Sequence, residues 1–337
     1  MSESEPVALV SEGTEPPAGS QGHRGLLIFV GVVEILLGLL GYLLTAFMCL
    51  GLALLSRLPP DKMPNVSPGL IIQSVMIVFA GATWFLVFGI GTIKGRRWAR
   101  AIMLVTSWVW FLFGLWGIFI FNFMQSRQVT YGTPPPTEIA KTTGPMISAI
   151  TEVFLWLFYV ILPFAFIVFY QRKSVRETFE RLDPKPRWTD ACPLPVLAMS
   201  LMLWGLTLGT LLYLRYGFYP MFGRVLTGVT GFGVIVGHGL VYAWLAWATY
   251  RCRIAGWWGV LVFVVLIPGA SLLVFGSPDA GELMKRMQVP LDPQVRSFIP
   301  MIQSKGPLLW IALAIVEVGY LLYVKQFFKP AGAATMG

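Results

Sequence analysis

Charge is scarce in this chain. Of its 337 residues 12% are charged, about half the share of a soluble globular domain. Histidine occurs twice, at His23 and His238, and cysteine three times, at Cys49, Cys192 and Cys252. There is no CxxC pair, HExxH zinc pair, GxSxG elbow or P-loop lysine motif. These absences argue against a zincin, a serine hydrolase of the elbow type and a P-loop enzyme. The cysteines read as free thiols, neither a disulfide scaffold nor a redox relay. A haem held by paired histidines inside a membrane lacks its ligands. No cofactor and no metal are expected.

Apolar residues are abundant instead, at 56% of the chain, with a mean hydropathy of +0.71. They fall in runs longer than a water-soluble core could bury. A spanning helix needs about 20 such residues, and only helices or closed barrels satisfy their backbone in lipid. The expected fold is all-α, a polytopic transmembrane bundle. Eight runs qualify: Gly25–Leu55, Leu70–Ile93, Trp98–Met124, Ile147–Tyr170, Leu194–Leu214, Met221–Tyr250, Ile254–Phe275 and Leu308–Phe328. The first run exceeds the bilayer core and must tilt, bend or project beyond it.

Residues 1–24 are polar and acidic and read as a disordered cytoplasmic tail. Residues 25–170 form a first four-helix half, 171–193 a cytoplasmic linker, 194–328 a second four-helix half, and 329–337 a short tail. In the linker, Asp183-Pro184-Lys185-Pro186 breaks any helix that continues from the first half. The net charge of +9 comes from short basic segments beside apolar runs, which fits membrane orientation rather than nucleic-acid binding. Lys94, Arg96, Arg97, Arg100, Arg172, Lys173, Arg176, Arg251 and Arg253 then lie inside, with both termini cytoplasmic. The expected partner is the lipid bilayer; protein partners and homo-oligomerisation stay open.

The halves look duplicated. Gly95-Arg96-Arg97-Trp98-Ala99 is echoed by Ala255-Gly256-Trp257-Trp258-Gly259, and Met124-Gln125-Ser126-Arg127-Gln128-Val129 by Met284-Lys285-Arg286-Met287-Gln288-Val289. Pro145-Met146-Ile147-Ser148 has its echo in Pro300-Met301-Ile302-Gln303-Ser304. The offset is roughly 155 to 160 residues, which suggests two parallel repeats like those of several transporters.

Three ionisable residues interrupt the apolar runs: Glu34, His238 and Glu317. A charge at mid-membrane costs at least about 2.5–3.5 kcal/mol, so each is a candidate intramembrane polar site near the bilayer centre. The functional reading is a proton- or cation-binding cluster. The structural reading, which carries more weight, is hydrogen bonding between helices. Gly205 with Gly209, and Gly233 with Gly237, have GxxxG spacing and are expected to pack helices closely.

The turn Lys94-Gly95-Arg96-Arg97-Trp98-Ala99-Arg100 resembles a G-R-x-W-A-R turn common in uncharacterised bacterial polytopic inner-membrane proteins. The segment Pro186-Arg187-Trp188-Thr189-Asp190-Ala191-Cys192-Pro193-Leu194-Pro195 resembles another part of such proteins. The resemblance implies a bacterial inner-membrane setting and no particular activity. The leading expectation is a non-enzymatic membrane protein with a structural, assembly or sensory role. The alternative is a secondary transporter or proton-coupled permease using Glu34, Glu317 and His238 at the midplane. A third is an intramembrane enzyme with a carboxylate acid or base.

Overall fold

The computed structural model describes residues 20–57, 68–128, 138–214, 218–221, 224–275, 311 and 314–328. Most of the expected N-terminal tail, the outer loop 276–307, the start of the last run and the tail 329–337 lie outside the described residues. Helices dominate: α1 (Ser20–Leu55), α2 (Pro68–Ile93), α3 (Arg97–Gln128), α4 (Glu138–Trp156), α5 (Leu162–Gln171), α6 (Lys173–Leu182), α7 (Leu194–Tyr213), α8 (Gly228–Tyr250), α9 (Ile254–Phe275) and α10 (314–324). Among the described residues six helices are long and apolar enough to cross a membrane: Arg24–Leu55, Ile71–Ile93, Arg97–Asn122, Met146–Gln171, Leu194–Leu211 and Gly228–Tyr250; Ile254–Leu266 is a shorter apolar stretch. Their outward faces carry exposed Phe29, Leu36, Leu40, Phe47, Leu112, Phe113, Phe154 and Leu208. A bilayer covers such a surface; water would not.

The first pair of helices is held by backbone proximity. Gly31 and Gly38 stand seven residues apart on α1, two turns along one face. A Cβ on Gly31 would come within 2.8 Å of the Gly89 carbonyl oxygen, and one on Gly38 within 2.9 Å of that of Ala82. Lipid tails are as apolar as leucine, so helices in a bilayer associate through such close van der Waals contact. Tyr42 and Thr83 add a 2.9 Å hydroxyl–hydroxyl hydrogen bond. Gly31 also faces the Ile93 backbone nitrogen, at the end of α2. Hence α1, about 54 Å long at 1.5 Å per residue, overhangs α2. On the overhang Leu27 and Val30 join one buried cluster with Val175 and Phe179 of the charged helix α6.

Helices α4 and α5 form one rod interrupted by a π turn at Leu157–Ile161. Its cause is Pro163, in the first turn of α5. Proline has no N–H to give, and its ring crowds the carbonyl of the residue four positions back, Tyr159. That carbonyl is turned against Gly114 of α3, where any side chain would collide with it. The extra residue resets the face that α5 buries, which carries Phe166, Ile167 and Tyr170.

The expected helix over Met221–Tyr250 begins only at Gly228. The preceding residues make an antiparallel hairpin, β1 (Phe218–Met221) with β2 (Arg224–Thr227), in register Phe218 to Thr227 and Met221 to Arg224. Gly228, at φ 62°, redirects the chain from strand to helix, a conformation that suits glycine. The third and fourth expected spans are also longer than foreseen, running on to Gln128 and starting from Glu138.

The linker seals one end of the bundle. Asp183, 3% exposed, pairs with Arg187 at 2.7 Å and with Arg96 at 3.9 Å, and accepts the Arg97 backbone N–H at 3.4 Å. Arg97 also pairs with Asp190 at 3.5 Å and Glu180 at 3.9 Å. The bonded Arg187 guanidinium holds the Asp183 carboxyl below the usual range, and Arg176 does the same for Glu180. Tyr250 donates to the Trp188 carbonyl at 2.8 Å, which ties the linker to the second half, and Tyr320 to that of Pro195 at 2.7 Å, which ties α10 to the start of α7. Cys192 is buried, and burial, with Cys252 alongside, pushes its thiol up to about 12.

Two turns share one hydrogen-bond pattern. After α2, Gly95 N–H donates to the Thr92 carbonyl at 2.9 Å and Arg96 N–H to that of Gly91 at 2.9 Å. After α8, Cys252 N–H donates to the Thr249 carbonyl at 2.8 Å and Arg253 N–H to that of Ala248 at 3.0 Å. Both are Schellman caps, with Gly95 at φ 65° and Cys252 at φ 51°. Beyond them the small residues trade places: a Cβ on Gly91 meets Ala99, and one on Gly256 meets Ala248.

Candidate functional site

Glu34 lies on the α1 face that meets α2, one turn beyond Gly31. It is completely buried. The Tyr170 hydroxyl donates to Glu34 Oε1 at 2.5 Å. The tyrosine oxygen lies 2.8 Å from Thr92 Oγ1. A phenol has one proton; with that proton on Glu34, Thr92 donates to Tyr170. Three helices, α1, α2 and α5, therefore meet through one chain of hydroxyls ending on a carboxyl. Arg100 Nε donates to the Tyr170 backbone carbonyl at 3.1 Å and fixes that helix end against α3. Glu34 Oε2 has no hydrogen-bond partner among the described residues.

The depth of Glu34 differs from the sequence expectation. The sequence places it near the bilayer centre, about nine residues into its run. Thr92 is one residue from the end of α2 and Tyr170 one from the end of α5. Glu34 is level with them, beside the basic turn rather than at mid-length of the bundle. The overhang of α1 accounts for the difference, since its first turns pack on α6 and do not count towards the depth shared with α2.

His238 is at mid-length of α8. Its Nδ1 is 2.5 Å from the Tyr219 hydroxyl, so the β1–β2 hairpin reaches down to it. The imidazole stacks on Tyr242, with ring centroids 4.9 Å apart and planes at 18°, and meets the edge of Phe263 at 5.5 Å. Its Nε2 is buried without a hydrogen-bond partner among the described residues. Glu317, on α10, is half-buried and within electrostatic reach of Tyr242. The structure thus stacks His238 on Tyr242, with Glu317 on a separate helix within electrostatic reach of that tyrosine. Glu34 belongs elsewhere, because Tyr170 and Tyr242 sit in different buried clusters. Tyr170, Thr92, Tyr219 and Tyr242 carried no signal in the sequence, being ordinary residues of apolar helices and turns.

The glycine expectation needs correction. A Cβ at Gly205, Gly209, Gly233 or Gly237 would meet nothing within 4 Å. Their GxxxG faces approach no backbone among the described residues. Close approach is made instead by Gly31, Gly38 and Gly89, and in the second half by Gly239, whose Cβ would lie 3.0 Å from Thr210 Oγ1.

Among the described residues no group of three or more His, Cys, Asp or Glu side chains is placed to hold a metal ion. The Glu34 cluster has chemistry suited to hydrogen bonding and proton exchange, since hydroxyls and a carboxyl are its members. No family model matches the chain, and neither a curated protein nor a solved structure matches it.

Proposed function

We propose that this is a non-enzymatic, multi-pass membrane protein in a structural, assembly or sensory role, in which Glu34, Tyr170 and Thr92 clamp three helices at one end of the bundle. The carrying observation is the full burial of Glu34 with its bond from Tyr170. A conducting carboxyl alternates between water-filled approaches; a clamp is enclosed by its partners. The separation of Glu34 from the His238–Glu317 group also weighs against a single three-residue transport site.

The reading includes two four-helix parallel repeats with both termini cytoplasmic. The matched turns support the duplication. Further pairs support it too: Gly31 against Gly89 is echoed by Ser200, whose hydroxyl donates to the Ala246 carbonyl at 2.9 Å, and Gly41 against Ala82 by Thr210 against Gly239. Arg100 on the Tyr170 carbonyl is echoed by Trp257 Nε1 on that of Leu321 at 2.8 Å. These equivalences set Leu203 opposite Glu34, Thr249 opposite Thr92 and Leu321 opposite Tyr170. Leu203 and Leu321 are buried in one apolar cluster, and the Thr249 hydroxyl is buried without a partner. On this reading the second half fills the equivalent junction with leucine.

One observation favours the second reading, a proton-coupled permease. The unpartnered Glu34 Oε2 is available for a proton or a water molecule. Proton flux separates the two. Protein reconstituted in liposomes with an entrapped pH dye is expected to pass no protons under an imposed potential, and Glu34→Gln is expected to leave the trace unchanged. Flux in the wild type that Glu34→Gln abolishes overturns the clamp in favour of the permease.

A further inference from the structure

The matched turns differ in what covers their cations. In the first half Arg96 and Arg97 meet Asp183, Asp190 and Glu180, all supplied by the linker. In the second half Arg253 occupies the place of Arg96, and Arg251 that of Lys94. Both are exposed. Between Leu194 and Phe328 the described residues contain a single carboxylate, Glu317, about 12 Å along the helix from Lys325. Residues 329–337 contain no Asp or Glu. Arg251, Arg253 and Lys325 therefore have no carboxylate partner among the described residues.

Arg253 and Lys325 lie instead on tryptophan. The Arg253 guanidinium is 4.4 Å from the Trp247 ring centroid. Lys325 Nζ is 4.9 Å from that of Trp257 and 5.8 Å from that of Trp258. The Trp257 bond to Leu321 brings the end of α10 beside the start of α9, so all three cations share one end of the bundle. Trp247 and Trp258 are 40% and 53% exposed, with apolar helix surface above them. Tryptophan with one wet edge and one apolar face suits the headgroup level of a bilayer.

We propose that Arg251, Arg253 and Lys325, on the Trp247–Trp257–Trp258 face, form a binding site for the phosphate headgroup of an anionic phospholipid. The first half shows the chemistry: an equivalent turn is neutralised by oxyanions. The linker provides them there as carboxylates. In the second half a lipid phosphate takes their place, its acyl chains lying on the exposed tryptophan and aliphatic faces of α8 and α9. A bilayer-spanning chain meets such lipids at that level, and a group of exposed cations there selects them by charge.

The test is native mass spectrometry of the full chain released from detergent with defined lipid, palmitoyl-oleoyl phosphatidylglycerol against palmitoyl-oleoyl phosphatidylcholine at equal concentration. The wild type is expected to retain phosphatidylglycerol preferentially. Arg251→Gln, Arg253→Gln and Lys325→Gln are each expected to weaken retention by about fivefold. Lys173→Gln with Arg176→Gln, which removes cations paired with Glu177 and Glu180, should leave retention unchanged. Equal retention of the two lipids by the wild type overturns the proposal, and that comparison needs no variant to fold. Equal losses in the α6 control overturn it as well. Displacement of phosphatidylglycerol by millimolar inorganic phosphate would mark a site for free anions and overturn the lipid assignment.

Discussion

Glu34 and Tyr170, from the first helix and from the last turn of α5, meet through a 2.5 Å hydrogen bond inside a membrane-spanning bundle. The bond ties a helix that overhangs its neighbours to the rod that leads into the linker. Whatever the protein does, movement of the linker relative to α1 must strain or break this contact.

The close approach of α1 and α2 predicts a sharp contrast among glycines. Gly89→Ala puts a methyl group 2.8 Å from the Gly31 carbonyl and is expected to cost about 1–3 kcal/mol as overpacking. Gly233→Ala and Gly237→Ala meet open space and gain helix propensity, so they are expected to be neutral or stabilising by up to about 1 kcal/mol. Thermal unfolding in detergent measures both. A greater loss at Gly237 than at Gly89 would show that the GxxxG face is the packed one.

The paired turns make opposite predictions for their left-handed residues. Cys252 adopts φ 51° without being glycine, a conformation that costs roughly 1–2 kcal/mol. Cys252→Gly is expected to raise the unfolding temperature. Gly95→Ala is expected to lower it, because φ is 65° there and the new methyl would run into Leu182. Two melting curves decide this.

The linker predicts an acid transition. The Asp183 carboxyl is held below its ordinary value, near 3.9 for an unperturbed aspartate, by Arg187 first and then by the Arg97 N–H. A carboxylate with a depressed folded-state value stabilises fully above its unfolded value and loses that contribution as pH falls through the folded one. Protease cleavage within 183–193 is therefore expected to rise below about pH 4, and Asp183→Asn to show the same cleavage at neutral pH. Cleavage independent of both would separate Asp183 from the seal.

The hairpin predicts a local effect at His238. Tyr219→Phe removes the hydroxyl on Nδ1 and leaves a buried ring nitrogen unbonded, for a loss of about 1–3 kcal/mol. Faster amide exchange confined to β1 and β2 is the expected signature. Unchanged exchange would mean that the hairpin is held by its other contacts.

Much of the architecture was legible because lipid leaves few choices. Apolar runs of bilayer length became helices, and the basic turn at Lys94–Arg97 and the break at Asp183-Pro184 were visible as charge and proline. The hairpin was not, because the Phe, Met, Val and Leu of Phe218–Gly228 run on into the apolar helix that follows; Pro220 and Gly228 were its signals. The π turn had Pro163 as its mark. Glu34 stood out as a carboxylate in an apolar run, but its depth depends on how far α1 slides past α2, a tertiary quantity. Its partners were invisible because a tyrosine and a threonine near helix ends are common. The packing glycines were misjudged because GxxxG is a local pattern, whereas the contact that forms uses Gly31 and Gly38, two turns apart.

The measurement closest to the central claim is a double-mutant cycle on Glu34 and Tyr170, read as thermal stability in detergent. Tyr170→Leu strips the buried carboxyl of its donor and should cost about 1–3 kcal/mol. Glu34→Leu combined with Tyr170→Leu puts leucine at both positions, as the proposed repeat does with the buried Leu203 and Leu321, and is expected to recover most of that loss. Recovery would establish the two residues as one coupled clamp at a junction that leucine can also fill. Additive losses from the two changes would contradict the clamp and the equivalence of the halves together.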